Sequence, residues 1–139
     1  MEGTSRNFPE ELLYDTHYQW IKRTGSKILF GLTSYGLEIT GDVLYLSLPP
    51  AGTAVEGGGT CGSLEAGKWV GRIYAPASGR ITNVNQAVLA SPALIGRLPY
   101  HSWFAEIELS RPEELNGLMS AAGLRSWMVE AEKANACCG

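Results

Sequence analysis

Lys68 stands in the segment Glu65-Ala66-Gly67-Lys68-Trp69-Val70-Gly71, between two stretches that read as strands, Cys61 to Leu64 and Arg72 to Tyr74. A primary amine on a glycine-flanked hairpin tip is exposed, and a modifying enzyme reaches it easily. The chemistry open to it is acylation, in which an amide forms at Nζ, the charge is lost, and the acyl chain brings its own reactivity. A lysine at such a tip also serves as a plain solvated charge, and local sequence alone does not separate the two roles. Trp69 adds a reason to expect an interaction site, because an indole beside an exposed turn costs solubility unless something packs on it. Glu65, three residues upstream, is the first polar residue facing the turn.

The other reactive side chains form no comparable group. Cys61, Cys137 and Cys138 are odd in number, with two adjacent near the end, so they do not make a disulfide framework. Cys61 reads as a small buried filler, although it lies near the hairpin. His17 and His101 are far apart in sequence, and no Cys or His pair falls at zinc spacing, so no metal site is expected. Hydrophobic residues at 45%, charged residues at 18% and a net charge of −3 describe one globular domain. No basic block offers a footprint for nucleic acid, and no apolar stretch is long enough to span a bilayer. Met1 to Ser5 lacks the order of a secretory signal, so the chain is expected to be cytoplasmic.

The elements that must position Lys68 follow from glycine and proline punctuation. The 17 glycines and 7 prolines cut the chain into short segments, as in a compact β domain. Residues 1–13 read as a loose N-terminal arm or one helical turn. Tyr18 to Lys22 and Lys27 to Leu32 read as a hairpin across Thr24-Gly25, and Ser34 to Ile39 as a short helix stopped by Gly41. Val43 to Leu48 reads as a central strand closed by Pro49-Pro50. Gly57-Gly58-Gly59 marks a tight bend or bulge. Arg80 to Val84 and Trp103 to Leu109 alternate as half-buried strands do, with an irregular or briefly helical stretch around Pro92 between them. Ser110-Arg111-Pro112-Glu113 has the form of a capping box, and Gly123 splits the C-terminal segment into a helix pair. Residues 14–134 thus form the domain, and 135–139 a flexible tail.

Ordered motifs along three quarters of the chain add a family resemblance. Tyr14 through Trp20, Gly31-Leu32-Thr33-Ser34-Tyr35-Gly36, Gly41-Asp42-Val43 and Leu48-Pro49 come first. Glu65-Ala66-Gly67-Lys68 is then followed by Tyr74-Ala75-Pro76-Ala77-Ser78-Gly79, which begins six residues after the lysine. Val84-Asn85-Gln86-Ala87 and Pro99-Tyr100 with Trp103 complete the series. From Tyr14 to about Met119 the chain resembles the H-protein family of the glycine cleavage system. The resemblance implies a mainly β, lipoyl-type flattened antiparallel barrel or sandwich with C-terminal helices. It also implies a non-catalytic carrier with lipoate joined covalently to Lys68, and Glu65, Gly67 and Trp69 as its setting.

Two departures bear on what such a carrier would hold. Tyr18 replaces the histidine of the family's opening motif, His17 and Gln19 stand where the family has acids, and Pro99-Tyr100-His101-Ser102-Trp103 lacks the family's glycines. Fewer carboxylates weaken the hold on a cationic amine. Lys68-Trp69-Val70-Gly71 and Phe8-Pro9-Glu10-Glu11-Leu12 resemble instead the lipoate-binding proteins of the heterodisulfide-reductase-like sulfur oxidation system. The expected cargo is therefore a sulfur-bonded intermediate, with an aminomethyl group in glycine cleavage as the alternative. The implied partners are a lipoate-protein ligase or other lipoylation enzyme, the heterodisulfide-reductase-like complex and dihydrolipoamide dehydrogenase. A carrier visiting several enzymes is expected to be a monomer.

Overall fold

The computed structural model describes the backbone of residues 8–138 and the side chains of residues 8–132. Two antiparallel sheets, not closed into a barrel, face one another. The larger contains β1 (Leu13–Tyr14), β2 (Gln19–Thr24), β3 (Lys27–Leu32), β5 (Ala54–Val55), β8 (Gly79–Val84) and β9 (Ala105–Leu109), in the order β1-β2-β3-β9-β8-β5. The smaller contains β4 (Val43–Ser47), β6 (Thr60–Ala66) and β7 (Val70–Tyr74), in the order β4-β6-β7.

Alternation explains why these segments are strands. Along β9, Ala105, Ile107 and Leu109 are buried while Glu106 and Glu108 are only half so, and along β6 Cys61, Leu64 and Ala66 point inward. Those inward rows meet Ile21, Ile28, Phe30, Ile81 and Phe104 in the main core between the sheets. Burial of this apolar face is the dominant favourable term for the sandwich.

Val43 to Ser47 forms the expected strand but not a central one. It lies at an edge of the smaller sheet, where a register shift between Val43 and Tyr45 turns both Leu44 and Tyr45 outward. An apolar run suggests burial on both faces, and the bulge defeats that inference. The expected helix after Thr33 is present as α1 (Ser34–Thr40), capped when the Thr33 hydroxyl accepts the Gly36 N–H at 3.0 Å. The stretch around Pro92 resolves into α2 (Gln86–Ala90) and α3 (Ala93–Arg97).

At the C-terminal end the capping-box expectation fails. Pro112–Gly117 is a 3-10 turn whose N-cap, Arg111, makes no side-chain cap. Glu114, the residue after Glu113, binds Ser78, accepting its backbone N–H at 2.7 Å and its hydroxyl at 3.2 Å. A single helix comes next, α4 (Ala121–Cys138), and it runs through Gly123. Gly123 lies in the first turn, where Ser120 Oγ accepts its N–H at 3.1 Å, so it helps begin the helix rather than break it.

A second core forms where α4 meets the start of the chain. Phe8, Leu12, Tyr14 and Trp20 pack with Ala121, Leu124 and Met128. Residues 8–13 are thereby fastened to the domain, against the expectation of a loose arm, because Phe8 and Leu12 have an apolar surface to bury. Residues 1–7 and 139, and the side chains of Cys137 and Cys138, lie outside the described residues. Among the described residues no helix is long and apolar enough to cross a membrane.

Candidate functional site

Strands β6 and β7 form the hairpin whose tip is Gly67-Lys68-Trp69. The Ala66 N–H donates to Trp69 O at 2.8 Å and closes the turn. The tip is then tied to the junction between α1 and β4, with Gly67 N donating to Asp42 O at 2.9 Å and Lys68 N to Thr40 O at 2.8 Å. Gly41 makes that junction possible. Its φ of 84° suits glycine, and a Cβ there would come within 3.2 Å of Lys68 Cγ and 3.3 Å of Lys68 N. Lys68 is exposed, and its Nζ donates to the Glu38 carbonyl near the end of α1 at 3.4 Å.

The two glycines expected to keep the tip accessible differ in role. A Cβ on Gly67 would meet nothing closer than 4.0 Å, so no close contact demands glycine there. A Cβ on Gly71 would fall inside the Trp69 ring, so Gly71 is what lets the indole lie along β7. Trp69 keeps 40% exposure. Glu65 is exposed on the outer face of the smaller sheet, in register with Tyr45 on one side and Val70 on the other.

Between the hairpin, α1 and the start of β2 lies a cleft of about 270 Å³. Trp69, Ile39 and Leu64 line it on one side, and His17, Gln19 and Tyr74 on another. The rings of His17 and Tyr74 are stacked, with centroids 4.1 Å apart and planes 17° from parallel. His101 is exposed and outside this lining, so only one of the two histidines borders the cleft. Cys61 is buried in the main core, and burial pushes its thiol up to about 12, which leaves it a protonated filler.

Sequence reading missed Asp15. Its carboxylate lies behind Gln19, with Oδ1 accepting the backbone N–H groups of His17 at 2.9 Å and Gln19 at 3.0 Å. Oδ2 accepts the Gln19 amide at 2.7 Å. The tight turn from Asp15 to Gln19 puts Tyr18 at φ 61°, in the left-handed region. An Asp that receives the N–H two residues on is an ordinary turn signal, and that was the clue available.

Burial raises the affinity of Asp15 for a proton, only partly offset by the hydrogen bonds from Gln19 and His17 and by the charge of His17. Between the ordinary aspartate value and the raised one, the folded chain binds more proton than the unfolded chain. Stability attributable to this group therefore rises as pH falls through that window. Urea titrations are expected to show the wild type gaining on Asp15→Asn as pH is lowered from neutral; a gap independent of pH would contradict it.

Comparison with known proteins bears directly on this arrangement. Residues 12–131 match the family model described as glycine cleavage H-protein. The chain belongs to the glycine cleavage H-protein family. It is 37% identical over 125 residues to the glycine cleavage system H protein of Anaeromyxobacter sp. strain K, covering 89% of this chain and 98% of the relative. The H protein of Myxococcus xanthus is 35% identical over 117 residues, covering 84% and 91%. The crystal structure of a glycine cleavage system H protein from Mycobacterium marinum matches with a TM-score of 0.75 and 31% identity, covering 83% of this chain and 94% of that one.

H proteins are non-catalytic carriers with lipoate attached covalently to a lysine. The sulfur-oxidation branch suggested by the Lys68-Trp69 string finds no support in these relatives. The residues present fit the group: Lys68 is an exposed amine on a fixed tip, and a largely apolar cleft opens beside its neighbour Trp69.

Proposed function

We propose that Lys68 Nζ is the lipoyl attachment point and that this H protein shuttles an aminomethyl group between the enzymes of glycine cleavage. The observation that carries the attachment is the tip itself, an exposed amine on a turn whose backbone is tied to Thr40 and Asp42. When bound, lipoate supplies a strained disulfide that opens on thiolate attack or reduction and can take up a transferable group. The chain's own residues do the rest. Thr40 and Asp42 hold the tip, Gly71 seats Trp69, and the cleft beside the indole offers a partly water-excluded surface. Glu65, beside the apolar pair Tyr45 and Val70, gives a lipoylation enzyme such as lipoate-protein ligase something to recognise. Dihydrolipoamide dehydrogenase would close the redox cycle.

A second reading, a sulfur-bonded cargo passed to a heterodisulfide-reductase-like complex, is favoured by one feature. Among the described residues no carboxylate lines the cleft, and that of Asp15 is occupied by Gln19. A cationic amine finds no free counter-charge there.

Two measurements test these proposals in turn. Intact mass after expression with lipoate and a lipoate-protein ligase should show a lipoyl increment; an unmodified chain under several ligases would overturn the attachment. Incubating the lipoylated protein with glycine and glycine decarboxylase should then add the mass of glycine less carbon dioxide, as the disulfide opens to one aminomethyl thioether and one thiol. Persistent failure to load would transfer the assignment to sulfur.

A further inference from the structure

The edge of β7 nearest the cleft is not left bare. Among the described residues strand β7 pairs only with β6 in its sheet, yet both backbone groups of Tyr74 are engaged by a single side chain from the other sheet. Gln19 Nε2 donates to Tyr74 O at 2.8 Å, and Tyr74 N donates to Gln19 Oε1 at 3.3 Å. The amide thus stands in for a residue of a neighbouring strand, offering one donor and one acceptor. Its second N–H goes to Asp15 Oδ2 at 2.7 Å. Two acceptors on one side and an N–H on the other allow only one orientation of the amide. Gln19 is 3% exposed, so each partner lost would leave a buried polar group unpaired.

We propose that Gln19 is a positioning residue, a clip that ties the base of the β6–β7 hairpin to β2 and so presets the width of the cleft. The tip is tied separately at Thr40 and Asp42, so the cleft is held from both ends and exists before anything enters it. A carboxylate at position 19 would accept from Tyr74 N but would face Tyr74 O and Asp15 with no proton to give. The clip therefore needs an amide and cannot be made by a carboxylate. Its use to the carrier, a ready shelter for a group tethered at Lys68, rests on the function proposed above. The clip itself does not depend on lipoate.

The test uses the unmodified full chain. Asp15, His17, Arg72 and Tyr74 are the titratable groups around the clip, so Gln19→Met serves as the reference for their effects. The protection factor of the Tyr74 amide, followed by NMR hydrogen exchange, should fall about tenfold or more in Gln19→Met at every pH. In Gln19→Glu it should fall by less at pH ~8, where the carboxylate still accepts the Tyr74 N–H but faces Tyr74 O and Asp15 without a donor, and recover further at pH ~4, where a protonated carboxyl offers a donor as well. The ring-current shift of His17 from Tyr74 should be lost and regained in step. Unchanged Tyr74 protection in Gln19→Met, or a Gln19→Glu response that tracks Gln19→Met across pH, would overturn the proposal. Absence of lipoylation with these results intact would count against the attachment alone.

Discussion

Lys68→Arg is expected to abolish the lipoyl mass increment completely while leaving the fold in place. Amide formation needs a nucleophilic amine, and a guanidinium keeps its proton at any workable pH, so arginine preserves the charge and removes the chemistry. The fold should survive because the tip is held by backbone groups. The hydrogen bonds from residues 66, 67 and 68 run to Trp69, Asp42 and Thr40, and the side chain adds only a 3.4 Å contact with Glu38 O. An exposed substitution of this kind moves stability by about 0.5 kcal/mol or less. Intact mass reads the first effect and a urea titration the second. An increment that persisted in Lys68→Arg would assign the modification to another lysine.

Trp20→Ala should have the largest effect on stability, about 4 kcal/mol. The indole is 2% exposed, and its Nε1 donates to Pro99 O at 2.9 Å. The backbone of Gly31 sits so close that a Cβ there would come within 2.9 Å of the ring, and the Tyr100 ring lies 6.4 Å away. Alanine leaves a void that such neighbours fill poorly, and it strands the Pro99 carbonyl. For a domain of ordinary stability this is a large part of the total. The urea midpoint should drop sharply, whereas Trp69→Ala, at a half-exposed site, should cost about 1 kcal/mol or less.

How much of the molecule could be read from the sequence depends on the range of each interaction. The β2–β3 hairpin, α1 and the β6–β7 hairpin are set by neighbours within a few residues, such as Thr24-Gly25, Thr33 and the Gly67–Gly71 turn, and local chemistry names them. The position of β4 at a sheet edge depends on a bulge and on which strands find each other, which no local pattern records. Ser110 to Glu113 had a capping-box form, but the segment is a 3-10 turn without a side-chain cap, and its neighbour Glu114 is bound to Ser78, more than thirty residues away. At the candidate site, the exposed hairpin tip that carries Lys68 was legible through motif order and spacing. The network from Asp15 through Gln19 to Tyr74 was not, because it joins residues 55 positions apart and uses an amide that reads as any polar surface residue. That is also why the loss of acids at positions 17 and 19 suggested a weakened cation site, when position 19 is engaged in tying the sheets together.

The ties of Gly67 and Lys68 to Asp42 and Thr40 have a consequence for how far cargo can travel. With the backbone of the tip tied to Asp42 and Thr40, a group joined to Nζ as proposed above would sweep a volume centred on the tip as a post, with a radius set by the lysine side chain and its tether. The cleft by Trp69 and the active site of a docked enzyme would then compete for the same small leash. Their local concentrations of cargo differ only through distance from that post and affinity. Loosening the post would enlarge the swept volume and dilute the cargo at both destinations, so stiffness at Gly41 and Lys68 would act as a concentrating device.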